Sequence, residues 1–159
     1  MVSSVCYHSP IGWMEIRASE KGICGVRFTS GRGHSSGKSA VLEKCTDQLK
    51  AYFNHERHGF RIRLDLEGTD FQIRVWKELR KISFGKTITY AALAARLGDE
   101  KLVRAIGHAV GQNPVPILIP CHRVIGSDLK LVGYSGGLEK KKWLLEHECA
   151  FPQMDLFYH

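Results

Sequence analysis

Three patterns of apolar and polar residues follow one another along the chain. Between residues 5 and 28, "GWMEIRA" alternates and "GICGVRF" follows a Gly turn, so both predict short strands. Residues 29–39, "TSGRGHSSGKS", are rich in Gly and Ser and predict a flexible loop. Its "GKS" ending is not a phosphate-binding loop, because Arg32 stands where that pattern needs Gly. Val41, Leu42, Cys45, Leu49, Tyr52 and Phe53 then recur at helical spacing, and Cys45 on that apolar face reads as an inert core thiol. "FRIRLDLEG" alternates strictly, with Phe60, Ile62, Leu64 and Leu66 on one side and Arg61, Arg63, Asp65 and Glu67 on the other. That predicts a half-buried strand. Residues 1–67 are expected to form a small N-terminal α/β domain, a sheet plus a helix.

From residue 68 onward the period becomes helical. Phe71, Val75, Leu79 and Ile82 lie on one face of a first helix, with Thr69 or Asp70 as its cap. "FGKT" is a turn. "TYAALAARLG" predicts a short helix capped by Thr89 and stopped by Gly98, and "KLVRAIGHAVGQN" starts another three residues later. Two short helices joined by a tight Gly-containing turn make a helix-turn-helix pattern. A last helix, "LEKKKWLLEHE", carries Leu138, Trp143 and Leu145 for packing. The expected fold class is α+β, with a mostly helical C-terminal domain over residues 68–159.

The second helix of the pair is unusually bare. Ala105, Gly107, Ala109 and Gly111 leave much of its surface without side chains, although an interior Gly costs about 1 kcal/mol relative to Ala. Such a surface permits close approach of a partner, or close packing in a core. Arg104 and His108, four residues apart, add a small basic face. Groups that read base edges are scarce there, so any DNA binding should carry little sequence readout.

Composition narrows the classes. The chain has 159 residues, 43% hydrophobic and 25% charged, which excludes global disorder. No apolar run approaches the roughly 20 residues of a membrane span. The N-terminal "MVSSVCYHSP" lacks the basic and apolar regions of a signal peptide. A soluble cytoplasmic protein is expected, or a nuclear one in a eukaryote. Lys and Arg number 23 against 16 acidic residues, a formal charge of +7. That is compatible with a polyanion partner, nucleic acid first, or with a merely basic surface. The five cysteines are odd in number and scattered, which argues against a disulfide framework.

The chemistry concentrates in "NPVPILIPCHRVIGS", residues 113–127, where an apolar run ends in Cys121, His122 and Arg123. A thiol is nucleophilic only as thiolate, which an adjacent imidazole can generate and a carboxylate can orient. Glu146 and Glu148 are the carboxylates in view. Adjacent side chains of an extended segment point to opposite faces, so a Cys121–His122 link needs a turn or a bridging water. A Cys beside a His is also often structural, and the Cys and His positions lack zinc-ligand spacing. Arg123 is expected to tie the loop to a carboxylate or to backbone carbonyls.

"IPCHRVIGSDLKLVGYSGGLEKKKWLLEHE" closely resembles the active-site region of the O6-alkylguanine-DNA alkyltransferases. Upstream, "FQIRVWKELRKISFGKTITYAALAARLG" and "RAIGHAVGQNPVPILIPCHRV" extend the resemblance over about residues 69–149, and "SPIGWMEI" resembles the family's N-terminal domain more weakly. The resemblance implies a DNA repair protein that flips O6-alkylguanine, less readily O4-alkylthymine, out of duplex DNA and transfers the alkyl group irreversibly to its own cysteine. It implies Cys121 as acceptor, His122 as water-mediated base, Glu148 as its orienting carboxylate, Asn113 as a hinge and Tyr90 as the group assisting departure of guanine. It implies Arg104 as the side chain filling the gap left by the flipped base, on a recognition helix that also presents Ala105, Gly107, His108 and Gly111 to DNA. Tyr134 and Ser135 would form the lid of the base pocket, with Pro116 and the Val124 backbone lining it and the run from Pro114 to Pro120 as one wall. The implied protein is monomeric and needs no cofactor, and its partner is duplex DNA carrying the lesion; some family members bind zinc in the N-terminal domain, but the Cys and His positions here do not reproduce that set, so no metal is expected.

The chain departs from the family at Phe84, where Pro is frequent, at Leu129, where Gly is frequent, and in "GDEKLV", which leaves the start of the recognition helix open. A lesion sensor without catalysis would lack the thiol, a transcription regulator would carry base-reading side chains, and a Cys-His hydrolase would turn over. The tail "FPQMDLFYH" is apolar enough to pack on the domain or meet a partner.

Overall fold

The computed structural model describes residues 2–126 and 133–150; Leu129 and the tail from residue 151 lie outside them. The chain divides into two units, Met1–Glu67 and Gly68–His159.

In the first unit the predicted strands become an antiparallel meander of β1 (Ser3–Ser9), β2 (Gly12–Ser19) and β3 (Gly22–Thr29), in that order. Its register pairs Val5 with Ile16 and Met14 with Phe28. Alternation sends Met14, Ile16 and Ala18 to one buried face. Helix α1 (Ala40–Phe53) packs on all three strands through a stripe that includes Leu42, Cys45, Leu49 and Tyr52. Ser39 caps it by accepting from the Leu42 N–H.

"FRIRLDLEG" is extended but is not the expected strand. It makes one parallel bridge, Ile23 to Leu64, in which the Ile23 N–H donates to Arg63 O and the Asp65 N–H donates to Ile23 O. The buried Gln48 side chain of α1 takes the place of a neighbouring strand. Its amide oxygen accepts from the Arg61 N–H at 2.9 Å, and its Nε2 donates to Arg61 O at 3.0 Å. One amide side chain satisfies both backbone groups, so no further ladder is needed there. Gly22 is required beneath this crossing, because a Cβ would come within 2.6 Å of Arg63 O.

The second unit begins with α2 (Asp70–Leu79). Thr69, not Asp70, is its cap: Thr69 Oγ1 accepts from the Gln72 N–H while Gln72 Oε1 accepts from the Thr69 N–H. A two-residue strand β4 (Ile88–Thr89) leads into α3 (Tyr90–Arg96), capped by Thr89 and followed by Gly98 at φ +93°. Asp99 then caps a 3-10 turn, Glu100–Leu102, so α4 (Val103–Gly111) starts later than "KLV" suggests. Helices α2 and α3 both pack on α4. Buried Trp76 of α2 donates its indole N–H to Ala109 O at 2.9 Å, pinning the small-residue helix. Strand β5 (Val124–Ile125) pairs in parallel with β4, and α5 (Leu138–His147) closes the unit. This is the expected α+β class with its helix-turn-helix. Among the described residues no helix is long and apolar enough to cross a membrane.

Thr69→Ala removes one half of a reciprocal cap. It should lower the unfolding free energy by about 0.5–2 kcal/mol in urea titration, with Thr69→Ser close to wild type. An unchanged midpoint for the Ala variant would show that the cap contributes nothing.

Candidate functional site

The segment leading to Cys121 is shaped by one side chain. Asn113, just beyond α4, donates from Nδ2 to Ile119 O at 2.8 Å and accepts the Val115 N–H on Oδ1 at 3.0 Å. These two bonds close the apolar run into a loop, and Ile117 sits in it at φ +76°. A β-branched residue is strained there, and it persists because Val115, Ile117 and Ile119 are fully packed. The chain leaves this loop through Pro120 into a 3-10 turn formed by Cys121, His122 and Arg123. The turn supplies the departure from extended geometry that a Cys-His pair requires.

Burial at the turn is nearly complete: Cys121 is 6% exposed, His122 0% and Glu148 1%. Glu148, the C-cap of α5, receives three donors. His122 Nε2 lies 2.7 Å from its Oε2, Arg123 Nε donates to Oε1 at 2.7 Å, and Arg123 Nη2 donates to Oε2 at 3.0 Å. Arg123 Nη1 donates to Ile82 O at 2.6 Å. Burial alone would raise the Glu148 carboxyl, but His122 and Arg123 outweigh it and hold the group well below the usual carboxylate range. Burial pulls His122 below its ordinary value; Glu148 opposes that, and Arg123 and Lys141 add to it. The imidazole is therefore neutral, with its proton on Nε2 facing Glu148. Its Nδ1 has no hydrogen-bond partner among the described residues. Glu146, by contrast, is a half-exposed partner of Lys142.

The thiol is set by opposing influences. Burial pushes Cys121 up, while the Asn113 side chain and the charge of Lys141 pull it back. Lys141 is itself fully buried, donates to Gly133 O at 3.1 Å, and is brought down to about 8 by burial, against the pull of Cys121. Sequence reasoning passed over this lysine. The signal was present: Lys141 shares a helical face with Leu144, Leu145 and Glu148, three, four and seven residues on.

Cys121 opens into a cavity that it lines with Tyr90, Gly107, Val110, Gly111, Asn113, Gly133, Tyr134 and Ser135. Seven of the residues singled out in the sequence thus converge, counting Cys121 itself. Val110 and Gly133 join them without having been foreseen. Arg104, Ala105 and His108 are exposed on α4. Pro116 and Val124 do not line the cavity. Pro116 is folded back in a bridge to Ile119, and Val124 is fully buried in β5. Nor is the run from Pro114 to Pro120 a cavity wall; the Asn113 loop turns it into core.

Residues 70–150 match the family model described as 6-O-methylguanine DNA methyltransferase, DNA binding domain, and residues 4–66 match its ribonuclease-like domain. The chain belongs to the 6-O-methylguanine DNA methyltransferase family. It is 40% identical to the methylated-DNA--protein-cysteine methyltransferase of Mycobacterium tuberculosis, covering 93% of each chain. It is 42% identical to that of Methanosarcina barkeri, over 88% of this chain and 92% of the relative. Among solved structures, the O6-methylguanine methyltransferase of Mycobacterium tuberculosis superposes with a TM-score of 0.85 at 39% identity, covering 94% of each chain. The Mycobacterium tuberculosis protein solved in complex with DNA superposes at 0.82, with 41% identity over 91% of each chain. The two solved family members share the α+β fold of this chain.

Lys141 carries a stability signature. Its unfolded form titrates near the ordinary lysine value and its folded form near 8. Between those values the unfolded chain binds more protons, so Lys141 contributes a stability increase as pH rises. The stability of wild type relative to Lys141→Met should therefore rise from about pH 8 to 10 in denaturation measurements. A constant difference across that range would place the amine in an ordinary solvated state.

Proposed function

We propose that the protein repairs duplex DNA by accepting the alkyl group of O6-alkylguanine, and less readily of O4-alkylthymine, on Cys121 Sγ, once per molecule. The observation that supports this best is the cavity: a buried thiol shares one small chamber with the bare face of α4, through Gly107 and Gly111. A base could reach that thiol only after leaving the helical stack.

The chemistry follows from the protonation states. The thiol proton passes to His122 Nδ1, through a bridging water, while Glu148 stabilises the imidazolium that forms. The thiolate attacks the alkyl carbon, a C–S bond forms and the C–O6 bond breaks. The electron pair left on O6 re-forms the guanine carbonyl as the base takes up a proton. Tyr90 assists that departure. Burial raises its phenol, so it stays protonated and can donate. Lys141 favours the thiolate electrostatically. The product is a thioether with no leaving group, so the acceptor is not regenerated.

Extrusion of the base costs a few kcal/mol, and an Arg104 side chain filling the gap offsets part of it. Ala105, Gly107 and Gly111 let the α4 backbone approach the groove, with His108 beside them. Tyr134 and Ser135 cover the base, and Asn113 fixes the turn beneath it. Action as a monomer is part of this proposal. A lesion sensor without catalysis would have no use for the buried thiol.

Incubation with duplex O6-methylguanine should add about 14 Da to the peptide containing Cys121, once, and the adduct should vanish in Cys121→Ala. No adduct, or more product than protein, would overturn the proposal. Arg104→Ala should slow transfer from duplex about tenfold to a hundredfold, with little change for the free O6-methylguanine base. Equal losses on both substrates would exclude a gap-filling role.

A further inference from the structure

The turn between α2 and β4 reaches the Arg123–Glu148 pair by three separate contacts. Ile82 O accepts from Arg123 Nη1 at 2.6 Å. The half-buried Phe84 ring lies 5.9 Å from the guanidinium carbon of Arg123. Gly85, at φ +81°, comes so close to Glu148 that a Cβ would stand 3.1 Å from its backbone oxygen. Neither this turn nor Arg123 is among the residues that line the cavity.

The carboxylate geometry gives those contacts a purpose. Oε2 of Glu148 is shared between His122 Nε2 and Arg123 Nη2, while Oε1 is held by Arg123 Nε. The plane of the guanidinium thereby fixes the plane of the carboxylate, and with it the direction in which an acceptor is offered to His122. A guanidinium can meet both oxygens and a carbonyl at once because its donors form a rigid fork; an ammonium cannot. The ring face of Phe84 attracts the cation and keeps it largely dry, with Arg123 6% exposed.

We propose that Ile82, Phe84 and Gly85 act through Arg123 as a positioning device for alkyl transfer, aiming Glu148 so that it holds His122 with the Nε2 proton engaged and Nδ1 open. This goes beyond tying down a loop, and its kinetic consequence rests on the alkyl-transfer function proposed above. The charged groups acting on His122 are Glu148 at the C-cap of α5, Lys141 of α5 and Arg123 of its own turn, with the Cys121 thiol next to it in the chain. The segment from 82 to 85 brings only a carbonyl, a hydroxyl-bearing Ser83, an aromatic ring and a glycine. If the guanidinium shifts away, Glu148 is left more fully to His122. The imidazole then binds a proton more readily and is less firmly oriented.

Phe84→Leu keeps apolar bulk and removes the ring face, Phe84→Tyr keeps the face, and Arg123→Lys keeps the charge and loses the fork. The full-length variants are compared by NMR titration of the His122 imidazole and by the pH dependence of single-turnover transfer. In Phe84→Leu the proton affinity of His122 should rise about two- to fivefold, a size set by one cation–π contact. Transfer should fall by more on the acid side of the His122 titration than well above it, where the imidazole is neutral in every variant. Phe84→Tyr should match wild type, and Arg123→Lys should exceed Phe84→Leu in both readouts. An unmoved His122 titration in folded Phe84→Leu overturns the proposal, as does a rate loss equal at all pH values. If Arg123→Lys does not fold, the Leu and Tyr pair decides. If wild type transfers no alkyl group, it is the function that fails, while the His122 titration still tests the positioning device.

Discussion

Glu148 carries a full charge into a site where it is 1% exposed, and it can do so because three donors meet its two oxygens. An isolated buried carboxylate would sooner take up a proton than remain ionised. Here the charge is spread over an imidazole N–H and two guanidinium N–H groups. The arrangement of the Cys121–Arg123 turn follows. His122 keeps one tautomer, Arg123 bridges from Glu148 to the Ile82 carbonyl, and the end of α5 is joined to the turn bearing Cys121. The arrangement is stable as a set and intolerant of partial removal, since losing one donor leaves the remainder of a buried charge unmatched.

A second level of support lies in the backbone. Asn113 satisfies a carbonyl and an amide of the loop before the thiol, and Trp76 satisfies a carbonyl of the helix before Asn113. The short β4–β5 pairing brings the residues preceding Tyr90 beside those following Arg123. Tyr90 and Cys121 thus reach one cavity from segments about thirty positions apart, held by two residue pairs of sheet and a polar side chain rather than by a long element.

Much of this was legible from the residues themselves. Period changes marked the strands, α1 and the helix pair, and the cap residues Thr89 and Gly98 fell where their chemistry put them. The departures have local causes. "FRIRLDLEG" alternates like a strand, but Gln48 satisfies the Arg61 backbone, an interaction between distant positions that no local pattern encodes. The run before Cys121 looked like a pocket wall because it is apolar and adjacent; the two hydrogen bonds of Asn113 fold it inward, which spacing alone does not reveal. Lys141 was hidden for the opposite reason. Three consecutive lysines look like a solvated stretch, and only the helical face they straddle distinguishes the middle one.

The burial of Cys121 also bears on how long such a protein remains useful in the cell. Of the five free thiols, Cys149, one position beyond Glu148, is exposed to oxidants and stray electrophiles. Cys121 is shut away, and burial holds its thiol toward the protonated form. Under the proposed function, a thiol consumed by a single event must not be spent on the wrong one. The desolvation that makes this sulfur slow toward molecules in bulk water preserves it, unreacted, for a partner delivered through the cavity.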